Sequence, residues 1–369
     1  MVNVLFLLNH AGRGGSERYI QTLVQQLGRN AINPFFAYNE SGPLKTWMEA
    51  QEVPCFQIDM NGPFDFKAAR ALAALCREHK IEVVHTHYLR ENYIALLAKL
   101  FYSKIRVIYT YHILSENPLP IRISNTLIET LQYKIIANCT AGKARLIANG
   151  NHSGKIVLIP NAVDLDYWAN GAPEALRREL CLSNSVFIIL FTARITEGKG
   201  HKFMLDTLKL LKDMTDIDFR LVLAGDGELR CDMEVYSKRL DLDDRVIFLG
   251  HRNDMPDIYH SADLTVCPSE SETLNYSLLE SMACGVPVIA TAVGGMTDIV
   301  TDAHDCGILV EYGNCTAFAS ALLKLMNDKQ LLKRYAEGAL RSAKADYDLI
   351  SAAESVLRLY NKGGSHERS

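Results

Sequence analysis

Residues 263–290 read DLTVCPSESETLNYSLLESMACGVPVIA. Asp263–Cys267 is a short apolar run, and Pro287–Ala290 is another. Between them lie a polar loop and then Leu278, Leu279, Met282 and Ala283 at helical spacing. Strand, loop, helix and strand in so short a stretch is a unit of parallel sheet, whose strands are apolar throughout because helices cover both faces. The helix is expected to begin near Thr273 or Leu274, with Glu280 about two turns inside it. A carboxylate set that deep among apolar side chains is costly unless partners satisfy it.

Outward from this stretch the alternation repeats. Strands are expected at Val186–Thr192, Phe219–Ala224, Val246–Leu249 and Gly307–Leu309, with helices such as His201–Lys212 and Thr316–Met326 between them. The first half shows the same pattern. Its strands are Asn3–Leu8, Phe35–Tyr38, Val83–Thr86, Arg106–Tyr111, Lys134–Ala137 and Lys155–Ile159, and its helices include Glu17–Leu27, Phe66–Glu78 and Asn92–Phe101. Pro160–Asn184 lacks a strand and reads as the link between two domains. The fold class is therefore α/β: two doubly wound, Rossmann-like domains facing across a cleft. Ligands of such sheets sit beyond the carboxyl ends of the strands, so the loops that follow strands are where chemistry is expected.

Composition fits two ordinary domains: 369 residues, 48% apolar and 22% charged. No apolar run approaches the roughly 18–20 residues of a membrane span. Val2–Leu8 has no basic flank or cleavage site, so it reads as a strand. Nine scattered cysteines without a Cys-x-x-Cys pair argue against a zinc ribbon or a disulfide framework and for a cytoplasmic setting. Residues 1–160 hold 17 basic and 11 acidic side chains, whereas the remainder hold 22 and 32. The basic half suggests an anionic partner, and peripheral contact with the inner face of a membrane is one such partner. Tyr88–Arg106, with Arg90, Lys99, Lys104 and Arg106 beside Leu96, Leu97, Leu100, Phe101 and Tyr102, reads either as a helix resting on anionic lipid or as an ordinary core-facing helix.

Five loops carry polar residues suited to a site. After the first strand, Gly14 and Gly15 permit close approach to a ligand, and Ser16 is expected to cap the helix that carries Arg18. His85 and His87 end one strand and His112 the next. His85 and His87 as metal ligands is one reading, but no carboxylate or cysteine is suitably spaced nearby. After Thr192 come Arg194 and Lys199, two cations ahead of a helix, suited to a pyrophosphate. In the opening stretch, Glu272 precedes the helix and is suited to sugar hydroxyls, and Glu280 is suited to a ribose diol. Asp241-Leu242-Asp243-Asp244 reads as a solvated turn.

Glu272 and Glu280, seven residues between them, resemble the double-glutamate motif of retaining glycosyltransferases of the GT-B fold, family 4. The resemblance covers almost the whole chain. Gly14-Gly15-Ser16-Glu17-Arg18 is similar to the family's glycine loop, Tyr111-His112 to its histidine loop, and Ile159–Asp164 to its interdomain crossing. Arg194, Lys199 and Gly200 resemble its basic pair, and Ala224-Gly225-Asp226-Gly227 another cleft loop. Thr273 and Ser281 depart from the usual Gly and Ala. The resemblance implies residues 1–165 as an acceptor-binding domain, 166–345 as a nucleotide-sugar domain, 346–362 as a helix crossing back to the first, and 363–369 as a frayed tail.

It further implies a retaining, metal-independent hexosyltransferase with a UDP-sugar as the expected donor. The acceptor would be a saccharide or lipid-linked saccharide of envelope polysaccharide assembly. By resemblance His112, Arg194, Lys199 and Glu272 are catalytic. Gly14, Gly15, Gly225, Thr273, Leu274, Asn275 and Glu280, with Arg194 and Lys199, bind the donor, and Arg18 and His87 meet the acceptor. No cofactor, metal or nucleic acid is expected. A nucleotide-sugar 2-epimerase on the same fold and a non-catalytic sugar-nucleotide-binding module stand as alternatives.

Overall fold

The structure, a computed structural model, describes residues 1–12 and 14–361. The tail expected at Gly363–Ser369 lies outside them. The chain divides into two compact units: Met1–Asn161 with the chain from Leu349 onward, and Ala162–Asp348.

Unit 1 runs β1 (Val2–His10), α1 (Gly15–Ala31), β2 (Ile32–Glu40), α2 (Pro43–Ala50), β3 (Cys55–Gln57), α3 (Phe66–Glu78), β4 (Val83–Thr86), α4 (Leu89–Ala98), β5 (Arg106–Tyr111), α5 (Leu119–Ile128), β6 (Lys134–Ala137), α6 (Thr140–Ala148) and β7 (Ile156–Leu158). The seven strands are parallel, in the order β3-β2-β1-β4-β5-β6-β7. Side chains alternate along β1. Val4, Phe6 and Leu8 join Ile20 and Leu23 of α1 in one core, and Leu5 and Leu7 join Leu72 of α3 and Ile94 of α4 in another. Both faces are therefore covered, which is why the strand carries no polar alternation.

Unit 2 runs α7 (Leu165–Ala169), α8 (Ala175–Glu179), β8 (Phe187–Thr192), α9 (His201–Met214), β9 (Phe219–Ala224), α10 (Arg230–Arg239), β10 (Val246–Gly250), α11 (Met255–Ser261), β11 (Leu264–Cys267), α12 (Tyr276–Ala283), β12 (Val288–Thr291), α13 (Met296–Ile299), β13 (Gly307–Val310), α14 (Cys315–Asn327) and α15 (Lys329–Asp346). Its six strands are parallel, in the order β10-β9-β8-β11-β12-β13. The chain then returns to unit 1 as α16 (Leu349–Tyr360), whose Ala353, Val356 and Tyr360 complete the core under α1. Strand order reverses between β1 and β4 in unit 1 and between β8 and β11 in unit 2. Each reversal opens a crevice at the carboxyl ends of the strands.

Several expectations need correction. The strandless Pro160–Asn184 holds α7 and α8. Residues 162–165, expected in the first domain, belong to unit 2, because Val163 N–H donates to Tyr347 O at 3.0 Å. Asp346–Asp348, expected to begin the crossing helix, also belong to unit 2. The helix at Tyr88–Arg106 is α4, and its Glu91–Leu96 and Ala98 are buried, so it is a core helix and not a lipid-facing one. All nine cysteines are free thiols. Asp241 ion-pairs with Lys212 at 2.9 Å in a turn, with Leu242 buried beneath. Among the described residues no helix is long and apolar enough to cross a membrane.

Candidate active site

In unit 2 the loops after β8, β9 and β11 meet backbone to backbone. Ala193 N–H donates to Ala224 O at 3.2 Å, and Ile195 N–H to Asp226 O at 3.0 Å. A Cβ at Gly225 would lie 1.9 Å from Ala193 O, and one at Gly200 1.9 Å from Pro268 O. Only glycine permits such approach, and both residues also have positive φ. Lys199 stands between Gly198 (φ +77°) and Gly200 (φ +82°), so two left-handed turns aim its side chain back over the strand ends. Its Nζ lies 2.5 Å from Glu272 Oε1. The same oxygen accepts from Ser269 Oγ at 3.0 Å and from Asn275 Nδ2 at 3.1 Å. Lys199 and Glu272 are thus held together, with Ser269 and Asn275 fixing the carboxylate. Arg194 is exposed just past β8.

The helix after Glu272 starts later than expected. Asn275 is its cap, accepting Leu278 N–H at 3.3 Å, and α12 begins at Tyr276. The cap wins over Thr273 because an Asn side chain satisfies an otherwise orphan N–H of the first turn. Glu280 therefore lies little more than one turn in. It is buried and accepts from Tyr259 Oη at 3.0 Å, and burial together with that carboxylate pushes the Tyr259 phenol well above its ordinary pKa. Ser277 Oγ donates to Thr192 O at 2.8 Å, tying the first turn of α12 to the end of β8. Leu274 is buried, and Thr273 beside it is half-buried.

In unit 1 Gly14, not Ser16, is the cap of α1, and Gly15 is the first helical residue. Ser16 Oγ instead bonds Glu17 Oε2 at 2.7 Å and Tyr88 Oη at 2.8 Å. Arg18 is half-buried in that first turn. The three histidines form a stack. His85 and His87 ring centroids are 4.6 Å apart, and those of His87 and His112 are 5.4 Å apart. His85 spends both ring nitrogens, on Tyr360 Oη (2.6 Å) and Thr110 Oγ1 (2.7 Å), so it cannot join His87 as a metal ligand. His87 Nδ1 lies 3.1 Å from His112 Nε2. Burial holds His85 and His112 down at about 3 and His87 well below the ordinary range, so all three are neutral near pH 7. Among the described residues His87 Nε2 has no hydrogen-bond partner. An orphaned lone pair costs less than an orphaned N–H, so the proton belongs on His87 Nδ1. His87 then donates to His112 Nε2, which leaves the His112 proton on Nδ1.

His112 also lines a pocket of about 460 Å³ with Tyr88, Glu91, Tyr109, Tyr111, Asn117 and Asn125. Sequence reasoning missed Glu91 and Asn125. Glu91 is buried in α4. Its Oε1 accepts Asn9 N–H at 2.5 Å, and burial raises its carboxyl pKa. The signal that singled out Glu280, a carboxylate within an apolar helix, was present here too. Among the described residues no three His, Cys, Asp or Glu side chains converge as a metal site requires.

Two parallel α/β units, each with its sheet order reversing at a crevice, are the architecture of the GT-B fold. The family comparisons agree. Residues 13–167 match the model "Glycosyltransferase Family 4", and residues 174–341 match "Glycosyl transferases group 1". The chain belongs to glycosyltransferase family 4 and is an enzyme of that class. It is 28% identical to N-acetyl-alpha-D-glucosaminyl L-malate synthase of Bacillus anthracis, over 80% of this chain and 79% of that one. It is 26% identical to UDP-Gal:alpha-D-GlcNAc-diphosphoundecaprenol alpha-1,3-galactosyltransferase of Escherichia coli, over 87% of each. Its fold matches that of HepE from Anabaena in complex with UDP-glucose, with TM-score 0.83, 22% identity, and 97% and 99% of the two chains covered.

Proposed function

We propose that this glycosyltransferase moves a hexosyl group from a UDP-sugar to a hydroxyl of a saccharide or lipid-linked saccharide, with retention of configuration and without a divalent ion. The observation that carries the reading is the Lys199–Glu272 pair, which joins the loops after β8 and β11, with Lys199 set between left-handed glycines. Donor binding exchanges its partners: Lys199, with Arg194, turns to the diphosphate, and Glu272 turns to the sugar hydroxyls. Glu280, fixed by Tyr259, takes the ribose diol. The Asn275-capped start of α12, the Thr273–Leu274 backbone and the Gly225 turn border the same donor. In unit 1, Arg18 and His87 are assigned to the acceptor, and His87 also holds His112 in place. The named substrates of the Escherichia coli relative support the UDP-sugar and the lipid-linked acceptor.

In the transfer, the bond from the anomeric carbon to the diphosphate oxygen breaks, and the acceptor oxygen bonds to the same face. The acceptor proton goes to an oxygen of the departing diphosphate. Fixed cations stabilise the charge that develops there. The test is a panel of UDP-, GDP- and ADP-sugars in excess EDTA, with nucleotide release measured and product anomers read by NMR. The expected result is release from a UDP-sugar, an undiminished rate with EDTA, and a product of the donor's own configuration. Loss of activity restored by Mn²⁺ or Mg²⁺, or an inverted product, overturns the mechanism. Free sugar of altered configuration without any acceptor favours the epimerase.

A further inference from the structure

Glu91 is a buried carboxylate that the protein satisfies only by half. It stands in the first turn of α4, where free backbone N–H groups favour an anion. Asn9 N–H bonds its Oε1 at 2.5 Å. Its Oε2 has no hydrogen-bond partner among the described residues. A buried carboxylate oxygen left alone is costly, and its persistence asks for an explanation. The open space beside Glu91 is the unit 1 pocket of about 460 Å³ that it lines. Several other polar side chains of that wall are spent on the protein. Asn125 bonds Tyr93 Oη at 2.8 Å and Asn149 O at 2.7 Å, Asn92 bonds Gln132 Oε1 at 3.0 Å, and Tyr111 Oη donates to Ser115 O at 3.0 Å. Among the described residues the wall has one permanent cation, Arg90, whose Nη1 already bonds Asn9 Oδ1 at 2.9 Å and Met60 O at 3.3 Å. Glu17 adds a second carboxylate to the wall, and His112 is neutral there.

We propose that Glu91 selects the acceptor: its carboxylate takes hydroxyls of an uncharged sugar unit in the unit 1 pocket and turns away a unit that bears a carboxylate or phosphate. An ionised carboxyl only accepts hydrogen bonds, so it recognises donors, and a sugar supplies them as hydroxyls. Bonds of this charged kind are about twice as strong as bonds between neutral groups. A second anion in the same pocket would meet Glu91 and Glu17 with Arg90 already engaged. Selection is therefore repulsive as well as attractive. The volume lies within the roughly 300–1,000 Å³ of small-molecule sites. Any charged or lipid part of a longer acceptor is then left outside the pocket. A Glu91 that merely held Asn9 would use Oε1 alone and would give no account of Oε2. That the bound sugar is the acceptor of transfer rests on the function proposed above; the sugar contact itself does not.

The test compares the full chain with Glu91→Gln at pH 8, well above the ordinary carboxyl range. The probes are the methyl α-glycosides of glucose, galactose, N-acetylglucosamine and N-acetylgalactosamine, and the phosphate ester of each at its primary hydroxyl. Dissociation constants are read by ligand-detected NMR titration. The wild type is expected to bind at least one glycoside, and the phosphate ester of that glycoside about tenfold more weakly or worse. Glu91→Gln should bind the same glycoside about tenfold more weakly, the difference between a charged and a neutral acceptor, and should narrow the gap to the ester. Its thermal midpoint should not fall, because the amide oxygen still accepts Asn9 N–H. A purely structural Glu91 would leave both sugar affinities unmoved. No glycoside bound by the wild type, equal binding of glycoside and ester, or unchanged selectivity in Glu91→Gln overturns the proposal. The wild-type comparison needs no variant, so a variant that fails to fold does not shield the proposal. Calorimetry with UDP separates the two readings. UDP binding without sugar discrimination removes the role of Glu91 alone, whereas sugar discrimination without UDP binding upholds Glu91 and removes the UDP-sugar reading.

Discussion

At the scale of single residues, the proposed donor site pairs its own charges. Lys199 and Glu272 satisfy one another at 2.5 Å, and Ser269 and Asn275 hold the carboxylate in place. This keeps a partly buried cation and anion from standing alone, which would cost several kcal/mol. It also makes Glu272 a competitor of the diphosphate for Lys199. The two variants therefore have opposite effects on nucleotide binding. Lys199→Ala should lower turnover by about 10²–10³, the loss seen when one group stabilising transition-state charge is removed. It should also weaken UDP. Glu272→Gln should abolish most transfer yet bind free UDP about fivefold tighter, since a competing pair worth about 1 kcal/mol is gone. Calorimetry with UDP decides the matter. Weaker UDP binding by Glu272→Gln would mean that the carboxylate serves the nucleotide directly.

At the scale of elements, the site depends on loops that touch through their backbones, and two neighbouring glycines separate conformational strain from steric clash. Gly198 and Gly200 have similar positive φ, but a Cβ at Gly198 meets nothing within 4 Å, whereas one at Gly200 falls 1.9 Å from Pro268 O. Gly198→Ala should thus cost only the left-handed strain, about 1 kcal/mol. Gly200→Ala should cost about 2–4 kcal/mol and disturb the β11 loop that carries Glu272. Urea unfolding of both variants measures the contrast, and equal losses would refute the contact. The same elements explain what could be read in advance. Strands β4, β5, β6 and β9 were legible to the residue because each centres on a short cluster of β-branched or large apolar residues with polar residues close on either side. Strand β3 was not: Cys55-Phe56-Gln57 is too short and too exposed to show a pattern. The start of α12 was misplaced because Asn275 caps through its side chain, and sequence periodicity does not report which of several candidate caps prevails. Helices α4 and α5 were the instructive pair. Both are apolar, and only the packing shows that α4 is buried while α5 leaves Leu119, Ile123 and Leu127 exposed. For the candidate site, residue types in strand-end loops singled out Lys199, Glu272 and His112, and a carboxylate within an apolar helix singled out Glu280. The lock between Lys199 and Glu272, and the hold of His87 on His112, are distances between loops remote in sequence and were not legible.

At the scale of the whole molecule, the two units differ in how they should meet acid. Unit 1 buries His85, His87 and His112 in neutral form, with His85 and His112 held down at about 3 and His87 well below its ordinary value. Unit 2 buries His201, held down at about 4 by burial and then by Lys199 nearby. A histidine whose folded pKa is depressed takes up a proton more readily when unfolded. Stability is then full above the unfolded pKa near 6.5 and is lost as pH falls toward the folded value. Each such histidine contributes a slope of about 1.4 kcal/mol per pH unit through that window. Three in unit 1 against one in unit 2 should make unit 1 the acid-labile half between roughly pH 6.5 and 4.5. Glu91, whose carboxyl is raised by burial, works the other way and offsets part of the slope. The two tryptophans supply a reporter for each unit. Trp47 lies in α2 of unit 1, packed against its core, and Trp168 lies in α7 of unit 2, buried beside Tyr259. Trp168→Phe leaves a probe of unit 1, and Trp47→Phe a probe of unit 2. Urea midpoints followed by fluorescence at pH 7.5, 6 and 5 should fall steeply for the Trp47 probe and shallowly for the Trp168 probe. Added UDP should raise the second without flattening the pH dependence of the first. Parallel slopes from the two probes would show that the histidine stack does not set acid stability, or that the units unfold as one.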